Sequence, residues 1–270
     1  MKFFNIKFLI ACLCALVISA FHPLLTTETR DFKNYYDAYQ VTGSFVLYDQ
    51  NNDHYILYNE PQINQPFIPA STYKICNSLI GLETGVIPDE NFIIQWDSVM
   101  RKNPSWNSDQ DMKTAFKNST VWYYQELARR VGGEKMKYWI DKAGYGNADT
   151  SGGIDQFWLT GGLRITPAQQ IDFLKRLHEN KLPFSQRSMD IVKKIMIQED
   201  SPGFILRGKT GWGMMQDTDI GWYVGYLETN TNVYYFANCI QSSDPNNNNF
   251  GMARTAIADS ILIELNLKIK

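Results

Sequence analysis

The order of strand-like and helix-like segments is the feature that most limits how this chain can fold. Residues 42–49 and 54–58 have the residue types of strands and flank the polar turn 50–53. Strand character returns near the other end, at 203–208, 219–228 and 233–241. Between them, from about 90 to 200, apolar residues recur at helical spacing. We therefore expect an α/β fold of the α+β kind: one antiparallel sheet built from both chain ends, flanked by helices, with a mainly helical lobe inserted.

The individual helices follow from apolar residues three and four positions apart. They are expected at 119–131, 134–142, 167–179 and 186–199, with a last helix near 251–266. Thr166 and Pro167 make a good helix start, because threonine caps a helix and proline suits its first position. Loops that contain proline or glycine separate the helices. A cleft between the sheet and the helical lobe is the expected place for a functional site.

The first twenty residues have the composition of a cleavable export signal. Two lysines precede an apolar run at residues 8–18, and the pair Ser19-Ala20 offers a small-residue cleavage point. Such a run is too short to span a bilayer permanently. We expect a signal peptide at 1–20 and a single domain at 21–270.

Charge and composition exclude several kinds of partner. The 26 basic and 28 acidic side chains form no basic stripe, so nucleic acid is not expected as a ligand. No second long apolar run follows the signal, which predicts a mature chain without a membrane span, located in the periplasm. The alternative is a lipoprotein box that ends at Cys12 and would anchor the chain through that cysteine.

Cysteine and histidine are too few and too scattered for a metal centre or a disulfide framework. Cys76 and Cys239 remain after the signal, in apolar periodic segments that favour free buried thiols. His22, His54 and His178 lie far apart in turn or helix-end contexts that are typical of surface histidines. Neither a metal site nor a Ser-His-Asp triad is expected, and no cofactor is implied.

The segment PASTYKICNSLIGLETG (69–85) carries a lysine in an unfavourable place. Apolar residues recur at helical spacing until Gly85, so the segment predicts a buried helix. Lys74 would lie in its first turn, near the positive end of the helix dipole, and burial of an unpaired ammonium is costly. Ser71 precedes it by three positions, on the same helix face. A neutral Lys74 could accept the serine proton, but a capping serine beside a lysine that reaches solvent explains the segment equally well.

Two further short motifs gain meaning only in combination. Lys209-Thr210-Gly211 follows a predicted strand, so a cation and a hydroxyl could bind a carboxylate while the glycine allows close backbone approach to an oxyanion. Ser119 opens a predicted helix, where a hydroxyl could relay a proton. Taken singly, the first motif is more consistent with a surface strand end, and the Ser-x-Val pattern of the second also occurs at Ser44-Phe45-Val46 in the first predicted strand.

In this order and spacing the motifs resemble those of the class D (oxacillinase-type) serine β-lactamases, over nearly the whole mature chain. The matching segments are Ser71-x-x-Lys74, Ser119-x-Val121, Tyr145-Gly146-Asn147, FWLTGGLRITPAQQ at 157–170, Lys209-Thr210-Gly211, GWYVGYLE at 221–228, and GMARTAI with Arg254. Trp106 resembles an aromatic wall residue of some members. Tyr73 and Cys76 depart from the commoner phenylalanine and proline, at positions that do not take part in the chemistry.

The resemblance implies a single catalytic domain that opens the β-lactam ring of penicillin-type antibiotics and so confers resistance. Ser71 would be the nucleophile. Lys74, carboxylated on Nζ with carbon dioxide or bicarbonate as the source, would be the general base for acylation and deacylation. The indole N–H of Trp158 would donate to this carbamate, while Val121 and Leu159 would help to keep the site dry.

The resemblance also assigns roles around the substrate. Ser119 would pass a proton to the leaving nitrogen, and the backbone N–H groups of Ser71 and Trp212 would stabilise the oxyanion. The remaining substrate-binding residues would be Trp106, Lys209, Thr210, Gly211 and Arg254. The β-lactam is the expected small-molecule partner, and a monomer and a homodimer both stay open.

Neighbouring classes are disfavoured by the sequence. A class A enzyme deacylates with a glutamate, but residues 145–164 contain none. Sensor domains of β-lactam-responsive receptors share the motifs and are acylated without turnover, but they follow transmembrane helices, whereas one short signal is expected here. A penicillin-binding transpeptidase would need an anchor or a further domain. The preference among penicillins, oxacillin, cephalosporins and carbapenems stays open.

Overall fold

The computed structural model describes residues 26–268, so the predicted signal peptide, Cys12 and His22 lie outside the described residues. The strands are β1 Thr26–Thr29, β2 Thr42–Asp49, β3 His54–Tyr58, β4 Ile93–Ile94, β5 Gln110–Asp111, β6 Ile197–Ser201, β7 Phe204–Met215, β8 Thr218–Thr229 and β9 Val233–Ser242. The α-helices are α1 Lys33–Asp37, α2 Glu60–Ile63, α3 Lys74–Glu83, α4 Met112–Lys117, α5 Val121–Val131, α6 Gly133–Ala143, α7 Pro167–His178, α8 Gln186–Ile195 and α9 Phe250–Glu264. Short 3-10 helices span Ala70–Tyr73 and Pro104–Trp106.

One seven-stranded sheet joins the two ends of the chain. Its strand order is β1-β3-β2-β9-β8-β7-β6, while β4 and β5 pair separately. Strands β2 and β9 pair antiparallel from Thr42 opposite Gln241 to Asp49 opposite Tyr234, which joins the early strands to the late ones. The pairing of β1 with β3 is parallel, and β1 was not predicted from the sequence. The predicted fold class, an antiparallel-rich sheet from both chain ends flanked by helices, is confirmed.

Helices cover both faces of the sheet and enclose two apolar clusters. On one face α1 and α9 pack over side chains such as Phe45, Phe236 and Ile257. On the other face lies a larger cluster, which includes Leu79 of α3 and Trp222 of β8. Side chains of α5, α6, α7 and α8 belong to it as well. Strand β8 is buried on both faces, which explains its nearly continuous apolar run. The sheet is thus held rigidly between two layers of helices.

Helix boundaries follow local signals at several places. Thr166 caps α7 in a full capping box with Gln169, and Pro167 is the first helical residue, as predicted. Gly85 takes a φ of +71° just after the end of α3, also as predicted. The predicted helix 186–199 is wrong at its end, because α8 stops at Ile195. The residues that follow form β6, where pairing with β7 outweighs helical periodicity.

Strand β7 is twice as long as predicted and carries Lys209-Thr210-Gly211 in its middle rather than at its end. Its glycines lower the strand propensity of this segment, so the sequence does not predict the second half of the strand. In the described part of the chain β6 pairs with β7 only between Phe204 and Arg207, whereas β8 pairs with all of it. The last half of β7 therefore has one free backbone edge.

No helix within residues 26–268 is both long and apolar enough to cross a membrane.

Candidate active site

Ser71 and Lys74 lie side by side at the start of α3. Ser71 belongs to the 3-10 helix and Lys74 is the first residue of the α-helix, so their side chains share a face. The Lys74 Nζ atom lies 2.7 Å from Ser71 Oγ. Lys74 is fully buried, which contradicts the alternative of a lysine that reaches solvent. The serine hydroxyl therefore has a buried amine as its direct partner.

Burial sets the protonation of this amine. Loss of solvation lowers the pKa of Lys74 from its usual range to about 7. Nearby lies the ring of Tyr124, 5.2 Å from Nζ to the centroid, which favours a cation but does not neutralise it. Close to neutral pH a substantial fraction of Lys74 is an uncharged amine that can accept a proton.

Ser119 and Lys209 form a second hydroxyl–amine pair. Lys209 Nζ donates to Ser119 Oγ at 3.0 Å and to the Thr210 carbonyl at 2.9 Å. Ser119 precedes α5 rather than opening it and has a φ of +55°, so the predicted helix start at this residue is wrong by two positions. Burial, with the neighbouring charges of Lys74 and Arg254, holds the pKa of Lys209 well below its usual range.

The last half of β7 packs against the turn that carries Ser71. Gly208 N–H donates to Met196 at the edge of β7 away from β8, and β7 pairs with β8 without a register shift, so by strand alternation the N–H of Trp212 points the same way. A Cβ on Gly211 would lie 2.9 Å from the Pro69 carbonyl oxygen, so glycine permits the strand to approach the serine-bearing turn. Ser71 and Trp212 both border one cavity, so their backbone N–H groups are candidates for an oxyanion-binding pair.

Arg254 reaches the same strand from α9. Its Nη1 donates to the Gly211 carbonyl at 3.0 Å, and its guanidinium lies 5.4 Å from the ring centre of Trp212. The Trp212 indole is half-exposed and donates to Asp219 at 2.8 Å. Arg254, Lys209 and Thr210 thus place two cations and a hydroxyl beside the strand, a combination suited to a carboxylate.

These groups open onto a cavity of about 360 Å³. Its lining is Ser71, Asn103, Trp106, Asn118, Ser119, Val121, Thr210, Trp212 and Arg254. Lys74 and Lys209 lie behind this lining, and Leu159 is half-buried against the core instead of lining the cavity. A larger cavity of about 830 Å³ beside Gln62 and Gln241 contains neither of the two serines that contact a buried amine, so the chemistry of the lining, and not the volume, identifies the site.

Asn103 and Asn118 were missed by sequence reasoning. Asn103 caps the 3-10 helix that carries Trp106, and the Asn118 carbonyl accepts the indole N–H of Trp106 at 3.0 Å. Asparagine in a turn is too common to signal a site. A contact between two loops that both border the serine is visible only in three dimensions.

Comparison with known proteins decides the family. Residues 43–263 match the penicillin binding protein transpeptidase domain. The chain is 40% identical to beta-lactamase OXA-48 of Klebsiella pneumoniae over 235 residues, which covers 87% of this chain and 88% of that protein. The crystal structure of the class D β-lactamase YbXI from Nostoc has a TM-score of 0.84 and 47% identity, over 88% of this chain and 99% of that one. The chain belongs to the class D serine β-lactamase family.

A receptor domain shares this fold with the class D β-lactamase family. The C-terminal domain of the Bacillus licheniformis BlaR penicillin-receptor has a TM-score of 0.86 and 34% identity, over 92% of this chain and all of that domain. The fold therefore belongs to hydrolases and to a receptor alike. Turnover, and not architecture, separates the two.

The tryptophan-bearing segment typical of a class D β-lactamase packs directly beneath the nucleophile. The Trp158 carbonyl accepts the Ala70 N–H at 3.0 Å, one residue before Ser71. Trp158 is fully buried, and its indole Nε1 has no hydrogen-bond partner within residues 26–268. A buried N–H without an acceptor is costly, so this donor is available to a further acceptor at the site.

Tyr145-Gly146-Asn147 holds the tryptophan segment in place and lies outside the cavity. The Asn147 amide donates to the Gly162 carbonyl at 3.0 Å and accepts from the Arg164 N–H at 2.9 Å. Gly146 has a φ of +57°, and a Cβ there would lie 2.0 Å from the Arg164 carbonyl oxygen. The contacts of this motif are therefore structural, because they fix the backbone of residues 162–164.

Replacing Gly146 with alanine is expected to destabilise the protein by about 2–4 kcal/mol. The methyl group would collide with a backbone carbonyl, and alanine is strained at positive φ. The change should appear as a lower midpoint in urea unfolding. Gly203→Ala is a matched control, because Gly203 also has a positive φ but nothing within 4 Å of its added Cβ. If Gly146→Ala lost no more stability than Gly203→Ala, the backbone would have to move enough to remove the collision, and the prediction would be wrong.

Within residues 26–268, no histidine or cysteine side chain lines the cavity. His178 is not a surface residue as predicted: it is largely buried and contacts Glu228 at 3.0 Å and Tyr235 at 2.9 Å, away from the cavity. Cys76 and Cys239 are free and buried. Across residues 26–268 no three histidine, cysteine or acidic side chains converge as metal ligands would.

Proposed function

We propose that the protein hydrolyses β-lactam antibiotics of the penicillin type through a covalent acyl-enzyme on Ser71, and thereby confers resistance. The observation that carries the proposal is the 2.7 Å contact between Ser71 Oγ and the buried Lys74 amine, whose pKa is lowered to about 7. Membership of the class D family and the similarity to named β-lactamases support the same reaction.

Acylation uses the groups around the cavity. Ser71 Oγ gives its proton to the base at Lys74 and bonds to the lactam carbonyl carbon. The backbone N–H groups of Ser71 and Trp212 stabilise the oxyanion, and the ring C–N bond breaks as the carbonyl re-forms. Ser119, hydrogen-bonded to Lys209, supplies the proton that the leaving nitrogen takes up. Hydrolysis of the ester by water then releases the ring-opened acid.

Carboxylation of Lys74 on Nζ fits the residues present. A neutral, buried amine is the form that adds carbon dioxide, and the unpartnered Trp158 N–H is a buried donor suited to an anionic oxygen. The carbamate would supply an anionic base for the deacylating water. Val121 borders the cavity and Leu159 packs behind it, so both limit access of further water.

Recognition of the antibiotic carboxylate is assigned to the β7 edge. Thr210, Arg254 and Lys209 meet there, and Gly211 keeps the backbone close to the nucleophile. Trp106 provides an aromatic wall on the opposite side of the cavity. We extend the proposal to an exported, periplasmic enzyme on the basis of residues 1–20, and leave its subunit number to measurement.

Mixing the purified protein with an excess of a chromogenic cephalosporin tests the function. A hydrolase should convert many equivalents at a steady rate, and Ser71→Ala should convert none. A receptor-like domain, the second candidate favoured by the similarity to the BlaR domain, should give one stoichiometric burst. A burst without turnover, seen also with a penicillin and added bicarbonate, would overturn the proposal.

A further inference from the structure

The turn that carries the nucleophile is strained and needs outside support. Ala70 has a φ of +48°, a left-handed conformation that costs an alanine about 1–2 kcal/mol. Such strain persists only where neighbouring contacts enforce it. The following residue, Ser71, offers both the attacking oxygen and one N–H of the oxyanion pair, so any relaxation of the turn would move both.

A chain of buried hydrogen bonds spans this turn. Thr72 Oγ1 donates to the Pro69 carbonyl at 2.8 Å, and the Thr72 N–H donates to the same oxygen at 3.1 Å. Since the hydroxyl has a single proton, it can only accept from its other neighbour, Gln170 Nε2, at 2.9 Å. Thr72 and Gln170 are both fully buried.

Gln170 is itself fixed by a well-capped helix. It lies in the first turn of α7, whose capping box joins Thr166 and Gln169, and its own N–H donates to the Thr166 carbonyl at 3.0 Å. The hydrogen bond to Thr72 therefore ties the serine turn to a rigid element 98 residues later in the chain. This anchor is separate from the contact of Ala70 with the tryptophan segment.

The turn also lies against the β7 edge. A Cβ on Gly211 would lie 3.2 Å from Thr72 Cγ2, so the threonine side chain is packed between α7 and the strand that carries Trp212. A shift of Thr72 would change the spacing between the two N–H groups that face the oxyanion. Displacements of about 1 Å at such a site cost roughly 10²-fold in rate.

We propose that Thr72 and Gln170 are positioning residues for the reaction: their hydrogen bond locks the strained turn so that the Ser71 N–H and the Trp212 N–H converge on one oxygen. The inference rests on the proposed function only in that Ser71 is acylated. Neither side chain touches the substrate, because neither lines the cavity. Their effect falls on the acylation step, and not on the first, non-covalent binding of the antibiotic.

Rapid-mixing measurements of acylation by a chromogenic cephalosporin test this assignment. Thr72→Val keeps the shape and loses the hydroxyl, and should acylate roughly 10- to 100-fold more slowly with the non-covalent dissociation constant changed less than about threefold. Thr72→Ser keeps the hydroxyl and should stay close to wild type. Gln170→Leu removes only the hydrogen bond to Thr72, so it should slow acylation no more than Thr72→Val does. The double variant should be no slower than Thr72→Val, since that variant already lacks both hydrogen bonds of the hydroxyl.

A boronic acid that adds to Ser71 Oγ gives an independent readout, because one of its hydroxyls occupies the oxyanion position. Its affinity should fall in parallel with the acylation rate in Thr72→Val and recover in Thr72→Ser. The assignment would be overturned if Thr72→Val acylated at the wild-type rate, or if Thr72→Val and Thr72→Ser lost equal amounts of rate. It would also be overturned if the rate losses of the single variants multiplied in the double variant. If Gln170→Leu does not fold, the comparison of Thr72→Val with Thr72→Ser still tests the assignment. Acylation is measured whether or not hydrolysis follows, so failure of the proposed turnover would be seen separately.

Discussion

Lys74→Met is expected to lower kcat/KM for a penicillin by roughly 10⁴-fold or more, since loss of the base in a serine acyl-transfer enzyme has effects of that size. Methionine keeps the length and the apolar stem and removes the amine that contacts Ser71. Steady-state hydrolysis followed by loss of the lactam absorbance measures it. The control is Lys181→Met, at an exposed lysine outside the cavity, which should have the kcat/KM of the wild type. A Lys74→Met enzyme that keeps more than about a hundredth of wild-type activity would remove Lys74 from the mechanism.

The same substitution should stabilise the folded protein near neutral pH. The pKa of Lys74 is about 7 when folded and 10.5 as its ordinary value, so between these pH values the unfolded chain binds more protons and stability rises with pH. The cost of keeping the amine buried is full below pH 7 and disappears towards pH 10. In buffer free of carbon dioxide, Lys74→Met should therefore melt at a higher temperature than wild type at pH 7, with a gap that narrows at pH 10.

The pH profile of the wild-type enzyme follows from the same group. Because only the neutral amine can accept a proton or add carbon dioxide, acylation should rise with pH around a midpoint near 7. The expected profile of kcat/KM therefore rises between pH 6 and 8, and a profile that is flat over this range would contradict it.

Trp158→Phe is the second variant with a large expected effect. It keeps an aromatic ring in the fully buried position and removes the unpartnered N–H. If this N–H holds a carbamate oxygen, deacylation should slow by about 10²-fold in bicarbonate-free buffer, a loss typical of one buried donor. Added bicarbonate should restore part of the rate, because the equilibrium of carbamate formation is then driven by mass action.

A second tryptophan serves as the control for this experiment. Trp139 is half-buried and stacks on Phe184 far from the serine, so Trp139→Phe should show wild-type rates with and without bicarbonate. Full activity of Trp158→Phe in bicarbonate-free buffer would contradict the role of the Trp158 N–H in holding a carbamate on Lys74. Slow deacylation that bicarbonate does not relieve would assign Trp158 to packing of the serine turn instead.

Much of the architecture could be predicted because local signals agree with the tertiary structure. The cap at Thr166, the proline at 167 and the glycine at 85 act within one turn of chain, so their meaning does not depend on distant residues. The strands at both ends were found from alternation and β-branched residues. Their pairing then required only that the early and late strands share one sheet.

The parts that failed are those where distant contacts overrule local preference. Glycines at 208, 211 and 213 make β7 look like a loop, yet a Cβ at each would meet Tyr223, Pro69 or Ala70 within 3.2 Å. His178 was read as a surface residue, although its partners Glu228 and Tyr235 come from strands fifty or more residues away. The link between Thr72 and Gln170 is likewise invisible in sequence, since neither residue type signals a function by itself.

The free edge of β7 has a consequence for what the cleft can hold. A strand that lacks a neighbour on one side presents alternating N–H and C=O groups, which is a template for one more short strand. An amide-bearing ligand can complete the sheet by backbone-like pairing with Thr210 and Trp212, as peptides do in β-augmentation. Pairing of this kind depends on the amide group of a ligand and not on its side groups. Because β6 pairs only with the first residues of β7, the unpaired backbone of β7 is itself available as a ligand-binding surface.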